Sequence, residues 1–270
     1  MRVRASSLSK LMIGILLAAL ASSSAHAQFA NNPASRPVMP QSGTAFQSKA
    51  TQALQSDDGA NPGMLWVEQG QKLWSTPQGS DNKSCASCHG DAAQSMRGVA
   101  ARYPEVDKKT GTLLNIEARI NQSRTEHQKA PALAYESQEL LALTAYLAIQ
   151  SRGLPQRVAI DGTAAPYFEQ GRAFYMTRQG QLNVSCAQCH DDSVGKKLRG
   201  DTISQGQPGG WPGYRLEWQT MGSLHRRLRA CSLGVRAEIL DYGSAEYVAL
   251  ELYLAWRAKD LPLESPSVRR

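Results

Sequence analysis

Apolar residues recur at helical spacing in two long stretches of the chain that have nearly the same pattern. The first stretch, residues 135–155, begins near a serine and a glutamate that can cap a helix, and it stops at a proline. The second, residues 242–262, repeats its tyrosine, leucine and alanine positions without a gap at an offset of 107. Shorter apolar stretches occur at 67–74 and 168–175. The pattern predicts two similar halves, each opened and closed by a helix.

A second repeat, with an offset of 101, supports the same division. Residues 68–89 and 169–190 share a Glu-Gln-Gly sequence at their beginning and a Ser-Cys-Ala-x-Cys-His sequence at their end. The alternating runs rich in Val, Ile and Thr that would indicate strands are absent. The sequence therefore predicts an all-α fold of two tandem domains, at 64–155 and 156–270.

The first 63 residues lack this periodicity. Basic residues precede an apolar run at 11–21, and small residues follow as far as Ala27. This order predicts a cleaved signal peptide at 1–27. The alternative, an uncleaved anchor, is disfavoured because a membrane span needs ~20 apolar residues. Residues 28–63 are rich in Ser, Gln, Asn, Pro and Ala, and we predict an extended arm there.

The charge of the chain restricts its partners only mildly. The formal charge is +7, and removal of the three basic residues of the predicted signal peptide leaves +4. Nucleic acid is a poor expectation for an exported protein, whereas small anions and acidic protein surfaces fit. No later segment is long and apolar enough to predict a membrane span. We therefore expect a periplasmic protein.

Two Cys-x-x-Cys-His motifs contain four of the five cysteines. Their residues are Cys85, Cys88 and His89 in the first half, and Cys186, Cys189 and His190 in the second. Two thiols at this spacing can each form a thioether with a haem vinyl group, while the next imidazole coordinates iron. A zinc ribbon, a thioredoxin-like redox pair and a disulfide within each pair are the alternatives. The motifs favour two covalently attached haem c groups, and hence two tandem cytochrome c-like domains behind an N-terminal extended arm.

Each iron also needs a distal ligand or an open site. Met96 follows the first motif too closely to arch over the haem, and the candidates in the second half are Met221, His225 and Cys231. Cys231 is the one cysteine not used for haem attachment, and an unpaired thiol in an exported protein needs an explanation. An inert buried thiol is one explanation, and a reactive, iron-bound thiolate is the one that we favour.

The residues around Cys231 are strongly basic. Nearby positive charge lowers the pKa of a thiol and increases its thiolate fraction. On a helix, Arg227 would lie one turn before Cys231 on the same face, where its guanidinium could hold a small oxyanion against the sulfur. For Arg226 and Arg229 we favour the simpler interpretation of a solvated basic face.

Several segments together resemble SoxA, the haem subunit of the SoxAX complex of bacterial thiosulfate oxidation. They are Cys186–Asp191 and residues 198–206, 214–218, 227–236 and 252–257. The resemblance implies an L-cysteine S-thiosulfotransferase that couples thiosulfate to a cysteine of the carrier SoxYZ and passes two electrons to cytochrome c. It also implies a SoxX-like small cytochrome c as partner. Cys231 would be a cysteine persulfide and, with His190, an axial iron ligand, and Arg227 would bind substrate.

The first half departs from the pattern of two-haem SoxA proteins, which use a second cysteine as distal ligand. An offset of 108 aligns Ser123 with Cys231, and serine is a poor iron ligand. His127 lies one helical turn further on, so we hypothesise that His89 and His127 coordinate the first iron. A water-bound or otherwise ligated iron is the alternative. For the whole protein, the alternatives are an electron carrier without a substrate and a thiosulfate dehydrogenase that forms tetrathionate.

Overall fold

Helices dominate the computed structural model, which describes residue 37 and residues 39–270. The predicted signal peptide and the beginning of the predicted arm lie outside these residues. In chain order the α-helices are α1 (Lys49–Ser56), α2 (Met64–Ser75), α3 (Cys85–His89), α4 (Ala92–Ser95), α5 (Ile116–Ser123), α6 (Gln138–Ile149), α7 (Ala165–Met176), α8 (Cys186–His190), α9 (Leu224–Gly234) and α10 (Ala245–Arg257). The helices predicted to open and close each half are confirmed as α2, α6, α7 and α10.

The two closing helices begin at the serines that the repeat predicts. The Ser137 side chain accepts a hydrogen bond from the backbone N–H of Leu140, and the Ser244 side chain accepts one from Tyr247. Each serine thereby satisfies a backbone donor that the first turn of a helix leaves free. Residues 140–148 of α6 are all buried, so this helix is enclosed on every side.

A glycine lets each opening helix approach its closing helix at backbone distance. A Cβ atom at Gly70 of α2 would lie 2.1 Å from the carbonyl oxygen of Ala142, and one at Gly171 of α7 would lie 2.0 Å from that of Ala249. These separations are far below van der Waals contact. The glycine of the repeated Glu-Gln-Gly sequence is therefore required by the crossing of α2 with α6 and of α7 with α10.

Each helix pair has a hydrophobic core of its own, and each core also contains a residue from the other half. The first core includes Trp74 and Leu140, and it is completed by Met221 from the second half. The second includes Phe168 and Tyr253, and it is completed by Leu113 from the first half. Because of this exchange, the halves are packed together, and the described residues form one compact unit.

Short strands, which the sequence did not predict, connect the helices. They are β1 (Glu105–Val106), β2 (Leu113–Leu114), β3 (Lys197–Leu198), β4 (Asp201–Thr202), β5 (Gly213–Arg215), β6 (Thr220–Gly222) and β7 (Ser267–Arg269). β1 pairs with β2 and β3 with β4, and in a three-stranded sheet β5 lies between antiparallel β6 and parallel β7. Segments of two or three residues are too short to show the alternation by which strands are recognised. The all-α prediction therefore describes the framework and misses these small sheets.

The described part of the predicted arm is not extended throughout, which corrects the prediction. It contains a 3-10 turn at Gly43–Phe46 and the helix α1. The arm lies against β7, where Gln55 Oε1 accepts a hydrogen bond from the Val268 N–H at 3.1 Å and Arg269 Nη1 donates to Thr44 Oγ1 at 3.1 Å. Polar side chains make these contacts, so no apolar period indicates the helix in the sequence.

A buried polar cluster lies where α5, α9 and α10 meet. His225 Nε2 lies 3.2 Å from Glu251 Oε2, and Asn115 Nδ2 donates to the same oxygen at 3.2 Å. Glu117 is also buried. Burial, reinforced by the negative charge of Glu251 and opposed by His225, raises the pKa of Glu117 from 4.5 to about 7. The folded protein thus holds a proton on Glu117 more tightly than the unfolded chain does.

We expect Glu117→Gln to flatten the dependence of stability on pH. The raised pKa contributes stability that is fully present below pH 4.5 and is lost as the pH rises through about 7. The neutral glutamine avoids this loss, which amounts to at most about 3 kcal/mol. Urea unfolding at pH 5 and pH 8 measures the effect. Parallel losses of unfolding free energy in the two proteins would contradict the assignment.

Candidate haem site and cysteine pocket

Both Cys-x-x-Cys-His motifs form single helical turns that begin at a serine. Ser84 Oγ accepts a hydrogen bond from the Ser87 N–H at 3.0 Å. Ser185 caps α8 in the same way, and Gln188 Oε1 accepts the Ser185 N–H at 3.0 Å in return. These caps hold the two cysteines and the histidine of each motif on one turn. None of the five cysteines, all within the described residues, forms a disulfide.

The His190 ring is held in the tautomer that suits iron. Its Nδ1 lies 2.7 Å from the carbonyl oxygen of Ser204, and because a carbonyl only accepts hydrogen bonds, Nδ1 must carry the proton. The lone pair of Nε2 is then available to a metal. A Cβ atom at Gly206 would lie 3.1 Å from the His190 ring, and the φ of +70° there also favours glycine. These residues, with the thiols of the motif, fit a covalently bound haem c.

Cys231 lies on α9. Its sulfur is near enough to the His190 ring for that ring to influence its pKa, so the two predicted axial ligands lie in one pocket. Burial alone raises the pKa of Cys231, but the charge of Arg227, the contact with His190 and the charge of Arg215 outweigh it and lower the pKa from 9.0 to about 7. A large fraction of the thiol is therefore thiolate at neutral pH, the form that binds iron or attacks sulfur.

The other two distal candidates of the second half are directed elsewhere. Met221 is fully buried in the first hydrophobic core. His225 is also buried, its Nδ1 accepts the Gly243 N–H at 3.0 Å, and its Nε2 faces Glu251. Of the three candidates, Cys231 is the one that the structure brings to His190.

Arg215 is a residue of this pocket that sequence reasoning missed. It lies at the end of β5, sixteen positions before Cys231 in the chain, and only 5% of it is exposed. Burial and the nearby charge of Arg227 lower its pKa, although it pairs with Glu217. No local spacing connects Arg215 with α9, so tertiary structure alone brings the two arginines together.

An ion pair with a fully buried arginine holds the residue that directly follows the second motif. Arg257 Nη2 donates to Asp191 Oδ1 at 2.6 Å, and the Tyr175 hydroxyl donates to the same oxygen at 3.0 Å. In the first half, the equivalent of Tyr175 is Trp74, whose Nε1 donates to the Gly90 carbonyl at 3.0 Å. The charge pair thus belongs to the second motif, next to the predicted iron ligand His190.

In each half, one helix that follows the motif carries a candidate position for the distal iron ligand; we call it the distal helix, α5 in the first half and α9 in the second. The same glycine contact fixes the end of this helix relative to the motif in both halves. A Cβ atom at Gly79 would lie 2.0 Å from the carbonyl oxygen of Gln128, and one at Gly180 would lie 2.2 Å from that of Val235. The glycines are related by the offset of 101 that relates the two motifs. Gln128 is therefore equivalent to Val235, which sets the structural offset at 107 here.

This offset changes the residue that is equivalent to Cys231. It aligns Arg124 with Cys231, whereas an offset of 108 aligns Ser123. Asn115 and Ser223, which cap α5 and α9, still differ by 108. A π-helical turn at residues 124–128 takes up the one additional residue of the first half.

The side chains at this turn are arranged accordingly. Arg124 is buried, and its positive charge opposes the increase in the pKa of Cys85 that burial causes. Gln128 Nε2 lies 3.8 Å from the Cys85 sulfur. His127 is exposed. The structure brings Arg124 and Gln128 to the first motif, and His127 as a partner of His89 stays a prediction without geometric support.

The helical fold and the attachment motif define a cytochrome c domain. The family model "SoxA/TsdA, cytochrome c domain" matches residues 69–156, and this class of protein binds haem c covalently. Within the described residues, no helix has the length and apolar character needed to cross a membrane.

Similar proteins and a solved structure identify the family within this class of cytochrome c proteins. The chain is 44% identical over 230 residues to the L-cysteine S-thiosulfotransferase subunit SoxA of Pseudaminobacter salicylatoxidans, covering 85% of this chain and 80% of the relative. It is 42% identical over 228 residues to that of Rhodovulum sulfidophilum, covering 84% and 79%. A crystal structure of SoxXA from P. pantotrophus matches with a TM-score of 0.83 and 40% identity, covering 86% of this chain and 87% of that one. The chain belongs to the SoxA family.

Proposed function

We propose that this chain is the haem subunit of a periplasmic L-cysteine S-thiosulfotransferase, which couples thiosulfate oxidatively to a cysteine of a SoxYZ carrier. The observation that carries the proposal is the pocket in which Cys231 lies near His190 and one turn of α9 from Arg227. This chemistry needs three groups together, namely a thiolate, an imidazole that can bind iron and a cation that can bind a small oxyanion. The names of the SoxA relatives support the same activity.

The reaction joins two sulfur atoms and releases two electrons. The carrier thiol loses its proton, a bond forms between its sulfur and the outer sulfur of thiosulfate, and a cysteine S-thiosulfonate results. Haem, when bound, supplies an acceptor for the electrons one at a time. Arg227 holds the thiosulfate dianion at α9. The carrier sulfur and thiosulfate couple beside the sulfur of Cys231. We propose that Cys231 is a persulfide as well as an iron ligand.

The finer features of the proposal concern the whole assembly. We propose two haem c groups in tandem cytochrome c-like domains at 64–155 and 156–270, attached through Cys85 and Cys88 and through Cys186 and Cys189. The two halves have the same order of helices, with α2 and α6 in the first and α7 and α10 in the second, and this supports the division. A SoxX-like small cytochrome c would complete the enzyme, as the SoxXA match suggests. A downstream cytochrome c would take the electrons, and a signal peptide at 1–27 would direct export.

Two measurements on the purified complex with its SoxX-like partner test the proposal. Intact mass is expected to show two haems and one additional sulfur atom on this chain. Thiosulfate is expected to reduce cytochrome c only when the SoxYZ carrier is present, because the carrier thiol is a co-substrate. Tetrathionate formation without the carrier would instead identify a thiosulfate dehydrogenase. No thiosulfate-dependent reduction under either condition would identify an electron carrier.

A further inference from the structure

The guanidinium of Arg215 is buried without a full set of partners. Its side chain is 6% exposed, and Nε has no hydrogen-bond acceptor among the described residues. An unsatisfied buried donor of this kind is unfavourable, the more so when it is charged. Its Nη2 donates to Glu217 Oε2 at 2.8 Å, but the Glu217 side chain is 67% exposed, so water screens that pair. The fold therefore keeps a positive charge in the pocket that internal contacts compensate only in part.

The position of this guanidinium is fixed by its surroundings. Arg215 ends the central strand of the three-stranded sheet, with β6 on one side and β7 on the other. Its guanidinium carbon lies 5.0 Å from the centre of the Trp218 ring, and Arg226 lies over the same ring at 4.3 Å. Stacking on an aromatic ring orients a guanidinium and leaves its N–H donors available at the edge. Arg215 is thus pre-organised for a ligand.

The neighbours of Arg215 indicate what that ligand is. Arg215 shares the Trp218 ring with Arg226 of the first turn of α9, so its guanidinium lies at the helix that carries Arg227 and Cys231. The charges of Arg215 and Arg227 repel each other there, and both lower the pKa of Cys231. Two guanidinium groups held beside each other are stabilised when an anion binds between them, and a dianion compensates both. The sequence places Arg227 one helical turn from Cys231, so the anion would lie beside the sulfur.

We propose that Arg215 and Arg227 form a two-guanidinium clamp that binds the sulfonate end of a divalent sulfur oxyanion and directs its outer sulfur toward Cys231. The identification of that anion as thiosulfate rests on the proposed function. The clamp distinguishes a dianion from a monoanion of similar size, because one guanidinium is left uncompensated when a monoanion binds. Arg215 is thereby a specificity-determining residue supplied by the sheet, and Arg227 is supplied by the helix.

Calorimetric titration of the oxidised complex with thiosulfate tests the clamp without the carrier protein. The Kd for thiosulfate is expected to increase about tenfold or more in Arg215→Gln, since a charge-assisted hydrogen bond is lost. Arg215→Lys retains the charge but lacks the planar fork, so it should bind with an intermediate Kd. In turnover with carrier, KM for thiosulfate should rise more than kcat falls. The haem absorption spectrum reports whether each variant is intact.

Arg229→Gln is the matched control, because Arg229 lies on the same helix but stacks on Tyr242 at 4.5 Å and donates to the Leu240 carbonyl. Its Kd for thiosulfate should stay within about twofold of the unsubstituted protein. The clamp is refuted if Arg215→Gln and Arg215→Lys bind thiosulfate normally, if the control is weakened equally, or if the unsubstituted protein shows no saturable binding. Binding through Arg215 without transfer to the carrier would leave the clamp in place and reject the proposed function.

Discussion

Cys231→Ser is expected to abolish thiosulfate transfer while the proposed haems stay attached. A hydroxyl does not ionise near neutral pH and cannot carry a persulfide sulfur, so the pocket loses the sulfur beside which coupling is proposed and its proposed second iron ligand together. We expect the rate of carrier-dependent cytochrome c reduction to fall by about 10³-fold or more, as when an enzyme loses one member of a catalytic unit. The intact mass should lose the additional sulfur, and the electron paramagnetic resonance signal of a thiolate-ligated haem should disappear.

Leu233→Ala provides the control for this substitution. Leu233 lies two residues further along α9 and is 66% exposed, so its truncation leaves the pocket unchanged. Its rate and spectrum should match those of the unsubstituted protein. A Cys231→Ser protein that kept more than a tenth of the activity would show that this sulfur is not needed for coupling, and unchanged resonance would show that it does not bind iron.

Gly171→Ala is expected to destabilise the second half of the protein strongly. The added Cβ atom would meet the Ala249 carbonyl oxygen at 2.0 Å, and α7 and α10 would have to separate. Overpacking of this kind costs about 1–3 kcal/mol or more, which lowers Tm by several degrees in a chain of this size. Thermal unfolding of the complex followed by circular dichroism measures the shift. The separation would also displace Tyr175, and with it the hydrogen bond to Asp191 beside the haem motif.

Two further substitutions make the interpretation specific. Gly70→Ala should destabilise the first helix pair similarly, because its Cβ would lie 2.1 Å from the Ala142 oxygen. Gly234→Ala, at the end of α9, places its Cβ in open space and should change Tm by less than a degree or two. Equal shifts for Gly171 and Gly234 would mean that loss of glycine flexibility, and not the close crossing, explains the effect.

The two halves share a framework but differ in the residues that face each motif. In the second half, the distal helix α9 carries Cys231, and Arg257 pairs with Asp191 directly after the motif. In the first half, the equivalent helix presents Arg124, and a π-helical turn shifts the register by one residue. Only the second motif therefore faces a thiolate with cations around it. We therefore propose that catalysis takes place at the second motif and that the first motif serves electron relay or structure.

The sequence by itself determined those features that depend on local spacing. The helices that open and close each half follow from apolar periodicity and capping serines. The attachment motifs follow from two cysteines and a histidine on one turn, and the relation of Arg227 to Cys231 follows from the helical repeat. Each of these requires only residues within a few positions of one another, so a single chain without tertiary contacts already specifies them.

Tertiary structure decided what depends on distant residues. Ser204 fixes the tautomer of His190, Arg215 joins Arg227 across a sheet and a helix, and Glu251 occupies His225 so that it cannot serve as a ligand. The same holds for the α1 helix, whose polar contacts with the C-terminal strand leave no apolar period. These contacts depend on how elements pack after folding, and the free energy of that packing is spread over the whole core. Spacing along the chain determined which residues can do the chemistry, and packing determined which of them meet.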